Sequence, residues 1–187
     1  HNVKNSDMLI GIDDADALRL FRLFNEPAGQ EYMRSLEIKE DVIEKLTWVG
    51  ISGAANIIMA IKMAKYYEYT EDDHILTVLT DSAVMYQSRL AEMDEEFGKY
   101  STVQAAVDHS VSALENDIDY VEELTYASKK RVHNLKYYTW IEQQQYDVDD
   151  LNAQWYDYNN YWGKLHTMAP EIDALVEAFN KKTGLVK

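Results

Sequence analysis

Two segments decide how this chain reads. Residues 47–56 are Thr47-Trp48-Val49-Gly50-Ile51-Ser52-Gly53-Ala54-Ala55-Asn56, and residues 75–82 are Ile75-Leu76-Thr77-Val78-Leu79-Thr80-Asp81-Ser82. Each opens with a short apolar run containing β-branched residues. The first ends in a turn flanked by Gly50 and Gly53, and the second ends in Asp81-Ser82. Between them, 54–67 is nearly apolar all round, with Lys62 and Lys65 its only charges, the pattern of a buried helix. Strand, helix, strand in that order predicts a βαβ unit and a parallel pair.

The flanks extend that expectation. Residues 8–12, Met8-Leu9-Ile10-Gly11-Ile12, form a third strand-like run. Asp13, Asp14 and Asp16 follow, where acidic side chains suit the positive end of a helix. Leu18, Phe21 and Phe24 share one face of that helix, and shorter helices are expected over 28–36 and 40–46. The expected continuation is a helix over 81–93. After Gly98 no strand pattern recurs, and helices are expected over 103–114, 118–124, 131–144, 148–161 and 170–179. This second part is rich in Tyr and Trp, including Trp140, Trp155 and Trp162. The predicted architecture is α/β, with βαβ units of a mostly parallel sheet over 1–98 and an all-helical extension over 99–187.

Composition narrows the function. The chain has 187 residues, room for one domain with a sizeable core, or a domain plus an extension. Its formal charge of −15 speaks against a nucleic-acid surface or an anionic membrane. No apolar run approaches the roughly 20 residues that a bilayer span needs. The chain contains no cysteine, which removes disulfides, thiolate catalysis and cysteine-ligated zinc and fits a reducing cytoplasm. His1, His74, His109, His133 and His166 are scattered without metal-ligand spacing, so no metal site is expected. The sequence starts at His1 in what reads as a loop, as a fragment or processed product would.

Two motifs could carry chemistry. At Gly50-Ile51-Ser52-Gly53 a strand hands over to a helix, and free N–H groups there can hold a phosphate or carboxylate. The plainer reading is a tight turn whose glycines permit close packing. Asp81-Ser82 ends a strand, where open parallel sheets bind ligands. The plainer reading there is a cap on the next helix. The aromatic stripe at 137–162 suits a core or a subunit contact.

Taken together, Gly50-Ile51-Ser52, Ala60-Ile61-Lys62-Met63-Ala64, Thr80-Asp81-Ser82 and Tyr86-Gln87-Ser88 resemble fold-type II pyridoxal-phosphate enzymes of the cysteine synthase and cystathionine β-synthase group. Members carry a Gly-Ile-Ser-Ser-Gly-Ala-like turn, a helix with Ala-x-Lys-x-Ala, and a strand ending Pro-Asp-Ser. Here Gly53, Ala54 and Thr80 depart from that pattern, and the resemblance covers about residues 1–92. It implies pyridoxal 5'-phosphate as cofactor and β-elimination or β-replacement on an amino-acid substrate. It also implies a hydrogen bond from Ser82 to the pyridine nitrogen, with Gly50, Ile51 and Ser52 beside the ring. The family's Schiff-base lysine and phosphate loop precede the matching region and are not recognisable here, so the resemblance makes this the C-terminal portion of such an enzyme. A homodimer or other homo-oligomer through helical surfaces is expected. Two other readings stay open: a non-catalytic helical interaction or assembly module, and an anion-binding α/β domain that uses only the Gly50–Gly53 turn.

Overall fold

A computed structural model describes residues 2–184. The chain divides into two compact units. The larger runs from residue 8 to 122. The smaller combines residues up to 7 with those from 123 onward. Residue 98, the boundary drawn from the sequence, falls inside the larger unit.

The larger unit is built from α1 (Asp14–Asn25), α2 (Pro27–Ser35), α3 (Glu40–Leu46), α4 (Ile51–Tyr66), α5 (Gln87–Phe97) and α6 (Thr102–His109). Asp13 caps α1, its carboxylate accepting the Ala15 N–H at 2.8 Å, and Asp14 and Asp16 stand in the first turn. Ala17, Leu20, Phe21 and Phe24 recur at helical spacing and are buried, so α1 becomes the spine of the unit. Helices α2, α4 and α6 pack against it. Met33, Ile43, Val49 and Ile58 close the core from α2, α3, the following turn and α4. Chain entry and exit meet as short antiparallel strands, β1 (Met8–Ile10) and β2 (Val121–Glu123), and the Gly11 N–H donates to the Tyr120 carbonyl at 2.9 Å.

One glycine in this unit is there because of a close approach. Pro27 starts α2 one residue after α1 ends, which brings Gly29 onto the backbone of α1. A Cβ at Gly29 would lie 2.1 Å from the Leu23 carbonyl oxygen. Only glycine permits that approach.

The smaller unit holds α7 (Tyr126–Lys136), α8 (Val148–Tyr156), α9 (Lys164–Thr167) and α10 (Ala169–Thr183). Two π-helical stretches, Tyr137–Glu142 and Asn159–Gly163, carry much of the aromatic content. The core is small: Val3, Leu124 and Trp155, with Val132 against them. The start of the chain is tied in by the Leu124 N–H, which donates to the Asp7 carbonyl at 2.8 Å.

The parallel α/β fold expected from the sequence is corrected by this architecture. The structure is 69% helical, and among the described residues the sheet is one antiparallel pair of three-residue strands, too little for any βαβ crossover. Residues 47–51 form a turn and the start of α4, and the only pairing there is an isolated antiparallel bridge between Val49 and Ser82. The expected central strand at 75–79 is irregular, with Leu76 97% and Val78 65% exposed. A parallel strand needs both faces covered, and this segment has neither. Helix α4 buries Ala54, Ile58 and Lys62 along one line, and it packs on a helix rather than a sheet. Within the expected helix at 118–124 lies β2.

Candidate functional site

Gly50, Ile51, Ser52 and Ser82 are brought into one corner of the larger unit. Gly50 is the N-cap position of α4, and its N–H donates to the Asp81 carbonyl at 3.3 Å. The Asp81 carboxylate then folds over the helix start. Oδ2 accepts the Ser52 N–H and Oδ1 the Gly53 N–H, both at 2.9 Å. Burial pushes the Asp81 carboxyl up, but the Ser52 and Gly53 N–H groups, with the Tyr86 hydroxyl, outweigh it and hold the carboxyl below its ordinary value. Ile51 packs against the core, and the Ser82 hydroxyl accepts the Val84 N–H at 3.4 Å to cap a 3-10 turn over Ala83–Tyr86.

This corner does not fit pyridoxal phosphate. The N–H groups at the start of α4 already hold the Asp81 carboxylate, so the Gly50–Gly53 turn is not an open site for a further anion. The space beside Gly50 is closed, because a Cβ there would come within 2.5 Å of the Asp81 carboxyl carbon. No parallel strand ends here to form a crevice. The glycine turn and the Asp-Ser pair therefore act on each other.

A second cluster in the larger unit surrounds Arg22, which is 4% exposed. Its Nη2 donates to Asp94 Oδ1 at 2.6 Å and to the Gly98 carbonyl at 2.7 Å. Its guanidinium lies 4.6 Å from the centre of the Tyr100 ring, and Nε is 3.6 Å from Glu26. Tyr100 donates to Asp108 at 2.8 Å, and Lys99 pairs with Asp94. Burial, then the charge of Asp94, raises Glu26, while Lys99 leads in lowering Asp94. A cavity of about 410 Å³ opens beside this network, lined by Leu18, Arg19, Phe97 and Gln104 among others. Its buried cation is engaged by Asp94, Glu26 and a carbonyl, so the cluster fastens α1 to α5 and to the approach to α6. The sequence held a signal for it: Arg22 stands four residues after Leu18 on the apolar side of α1.

In the smaller unit the aromatic residues gather around Trp155. Lys4 and Lys130 Nζ each lie 4.6 Å from its ring centre, and Tyr126 and His133 meet it at 5.6 and 5.2 Å. Burial, followed by the charges of Lys136 and Lys130, pushes the His133 imidazole down. Trp140 and Trp162 are partly buried, Trp140 edge-on to Tyr146 and Trp162 donating to the Gln154 carbonyl at 2.8 Å. An open groove of about 770 Å³ runs between α7 and α8, bordered by Tyr126, Arg131, Tyr137, Tyr138 and Val148. Beyond it, α10 buries none of its residues. Met168, Ile172, Leu175, Val176 and Phe179 form one apolar stripe along it, with Leu175 65% and Phe179 64% exposed.

Among the described residues no group of three or more His, Asp or Glu side chains is arranged to hold a metal ion, and His1 lies outside them. No helix there is long and apolar enough to cross a membrane. Comparison of the chain with known protein families, with curated proteins and with solved structures finds no match.

Proposed function

We propose that this chain is a helical interaction module that assembles with copies of itself through the exposed apolar faces of its smaller unit. The observation that carries this reading is the stripe on α10, an amphipathic helix whose whole apolar side is uncovered. The small core of that unit supports it. A unit resting on Val3, Leu124, Trp155 and Val132 gains stability when neighbouring copies bury what it leaves out. Tyr and Trp, dense around α7 and α8, are the side chains that interfaces favour. The pyridoxal-phosphate reading loses the parallel sheet on which it depends, which favours the interaction module over it.

Sedimentation equilibrium from low to high micromolar concentration tests the proposal. The expected result is a mass that rises with concentration toward a closed oligomer. A mass that stays monomeric throughout would remove the reading.

A further inference from the structure

We infer that two copies of the chain pair by exchange, α10 of each lying in the groove between α7 and α8 of the other. This rests on the self-assembly reading and names the surface that receives the helix.

Charge singles out the groove. The chain carries 33 acidic and 18 basic residues, yet α7 holds Lys129, Lys130, Arg131 and Lys136 and no acidic residue. Lys130 Nζ lies against two rings, 4.6 Å from the centre of Trp155 and 4.4 Å from that of Tyr156. His133 lines the groove and feels the excess: burial first, then Lys136 and Lys130, disfavour its charged form. From α8 come Val148, Leu151 and Asn152, while Asp149 and Asp150 do not line it. A strongly acidic chain thus presents a positive, aromatic groove, which matches an occupant that is both acidic and apolar.

Helix α10 has that character. From Ala169 to Asn180 it carries Glu171, Asp173 and Glu177 and no basic residue. At about 100° per residue, Glu171 and Asp173 stand on opposite sides of Ile172 and edge the stripe of Ile172, Leu175, Val176 and Phe179. All three acidic residues are exposed. Lys181 and Lys182 come only in the last turn. The lengths also agree. The groove runs from Tyr126 to Tyr138, twelve residues or about 18 Å of helix, and the stripe from Met168 to Phe179, eleven residues or about 16 Å.

The area is sufficient. Tyr126, Leu135 and Tyr138 beside the groove, and Leu175, Val176 and Phe179 on α10, are each more than half exposed. Two helices in two grooves offer up to roughly 2,000 Å² of apolar and aromatic surface, against about 1,600 Å² in a standard interface. A two-fold exchange uses the helix and the groove of both copies and closes on itself, whereas a one-way contact would propagate into a filament. Two α10 stripes laid on each other would leave both grooves open. Charge selects which surfaces meet, and the apolar side chains hold them.

The chain contains no cysteine, so single cysteines introduced into the full chain report the contact. Leu175→Cys and Tyr138→Cys are made separately, one of them isotopically labelled, mixed at micromolar concentration and mildly oxidised. Each chain then has one thiol, and any disulfide joins two copies. The expected main product is the mixed disulfide, formed several-fold faster than either variant links to itself. Arg131→Glu is expected to weaken association about three- to tenfold by sedimentation equilibrium with unchanged circular dichroism. Lys39→Glu, which alters net charge equally on the larger unit, is expected to leave it near wild type. If Leu175→Cys links to itself as fast as to Tyr138→Cys, α10 meets α10; self-assembly stands and this inference falls. It falls equally if wild type associates but no mixed disulfide forms, or if Arg131→Glu and Lys39→Glu act alike. A wild-type chain that stays monomeric overturns both this inference and the reading beneath it.

Discussion

Asp81 shows how a single carboxylate can replace an expected ligand. Two backbone N–H groups and a phenol donate to it, so it does locally what a bound anion would do at the start of α4. Asp81→Ala leaves those N–H groups unpaired, and the expected cost is about 1–3 kcal/mol, seen as a lower denaturant midpoint. Because the folded-state pKa is depressed, the contribution of Asp81 is full above its ordinary value of 3.8 and is lost as pH falls through the lower folded value. His133 gives a separate step. Burial and the nearby Lys136, Lys130 and Lys4 disfavour its charged form, while a hydrogen bond to the Leu151 backbone works the other way. Its folded pKa therefore lies below 6.5, so the neutral-pH stability of the smaller unit declines as pH falls from 6.5 toward that value. Thermal melts followed by tryptophan fluorescence, which Trp155 beside His133 reports, should show this loss well before the Asp81 step. His133→Gln should flatten it.

At the scale of elements, most helices were legible and so was the strand read at 8–12, where β1 forms, but the strands read at 47–51 and 75–79 and the helix read at 118–124 do not form. The spacing of Leu18, Phe21 and Phe24 and the acidic start at Asp13, Asp14 and Asp16 mark α1 in the sequence, and the structure adds Ala17 and Leu20 to its buried side. Residues 47–51 and 75–79 were read as strands because a short β-branched run gives no periodicity against which to check it. What decides such a run is whether something covers it, and nothing covers Leu76. Leu76→Ser is accordingly expected to change stability by less than about 0.5 kcal/mol, where a central strand would lose several. The candidate site was legible as a juxtaposition. Gly50, Ile51, Ser52 and Ser82 do meet, but the bond that joins them is the Asp81 carboxylate over the start of α4, whereas the sequence reading had Asp81 or Ser82 capping the element that follows, which Ser82 does. The tight join between α1 and α2 was not legible, because the distance from Gly29 to the Leu23 carbonyl depends on the angle between the helices. Gly29→Ala should destabilise the larger unit by about 1–3 kcal/mol or more, since the obstacle is backbone and cannot rotate away; urea denaturation reads this directly.

At the scale of the whole molecule, the chain's charge sets the conditions under which its copies can meet. Each carries a formal −15, so two copies repel at long range whatever their local complementarity. The Debye length shrinks from roughly 30 Å at 0.01 M salt to about 8 Å at 0.15 M, which removes most of that repulsion. Burial of Ile172, Leu175 and Phe179 does not depend on charge. Repulsion between net charges is thus the larger salt-sensitive quantity, and screening it should favour the dimer. Self-association of the wild-type chain should strengthen as salt rises over this range, opposite to the behaviour of an interface held together by ion pairs. Sedimentation equilibrium at several salt concentrations gives the slope. A wild-type dimer that dissociates as salt is added would mean that charge pairs, and not the apolar stripe of α10, supply most of the contact.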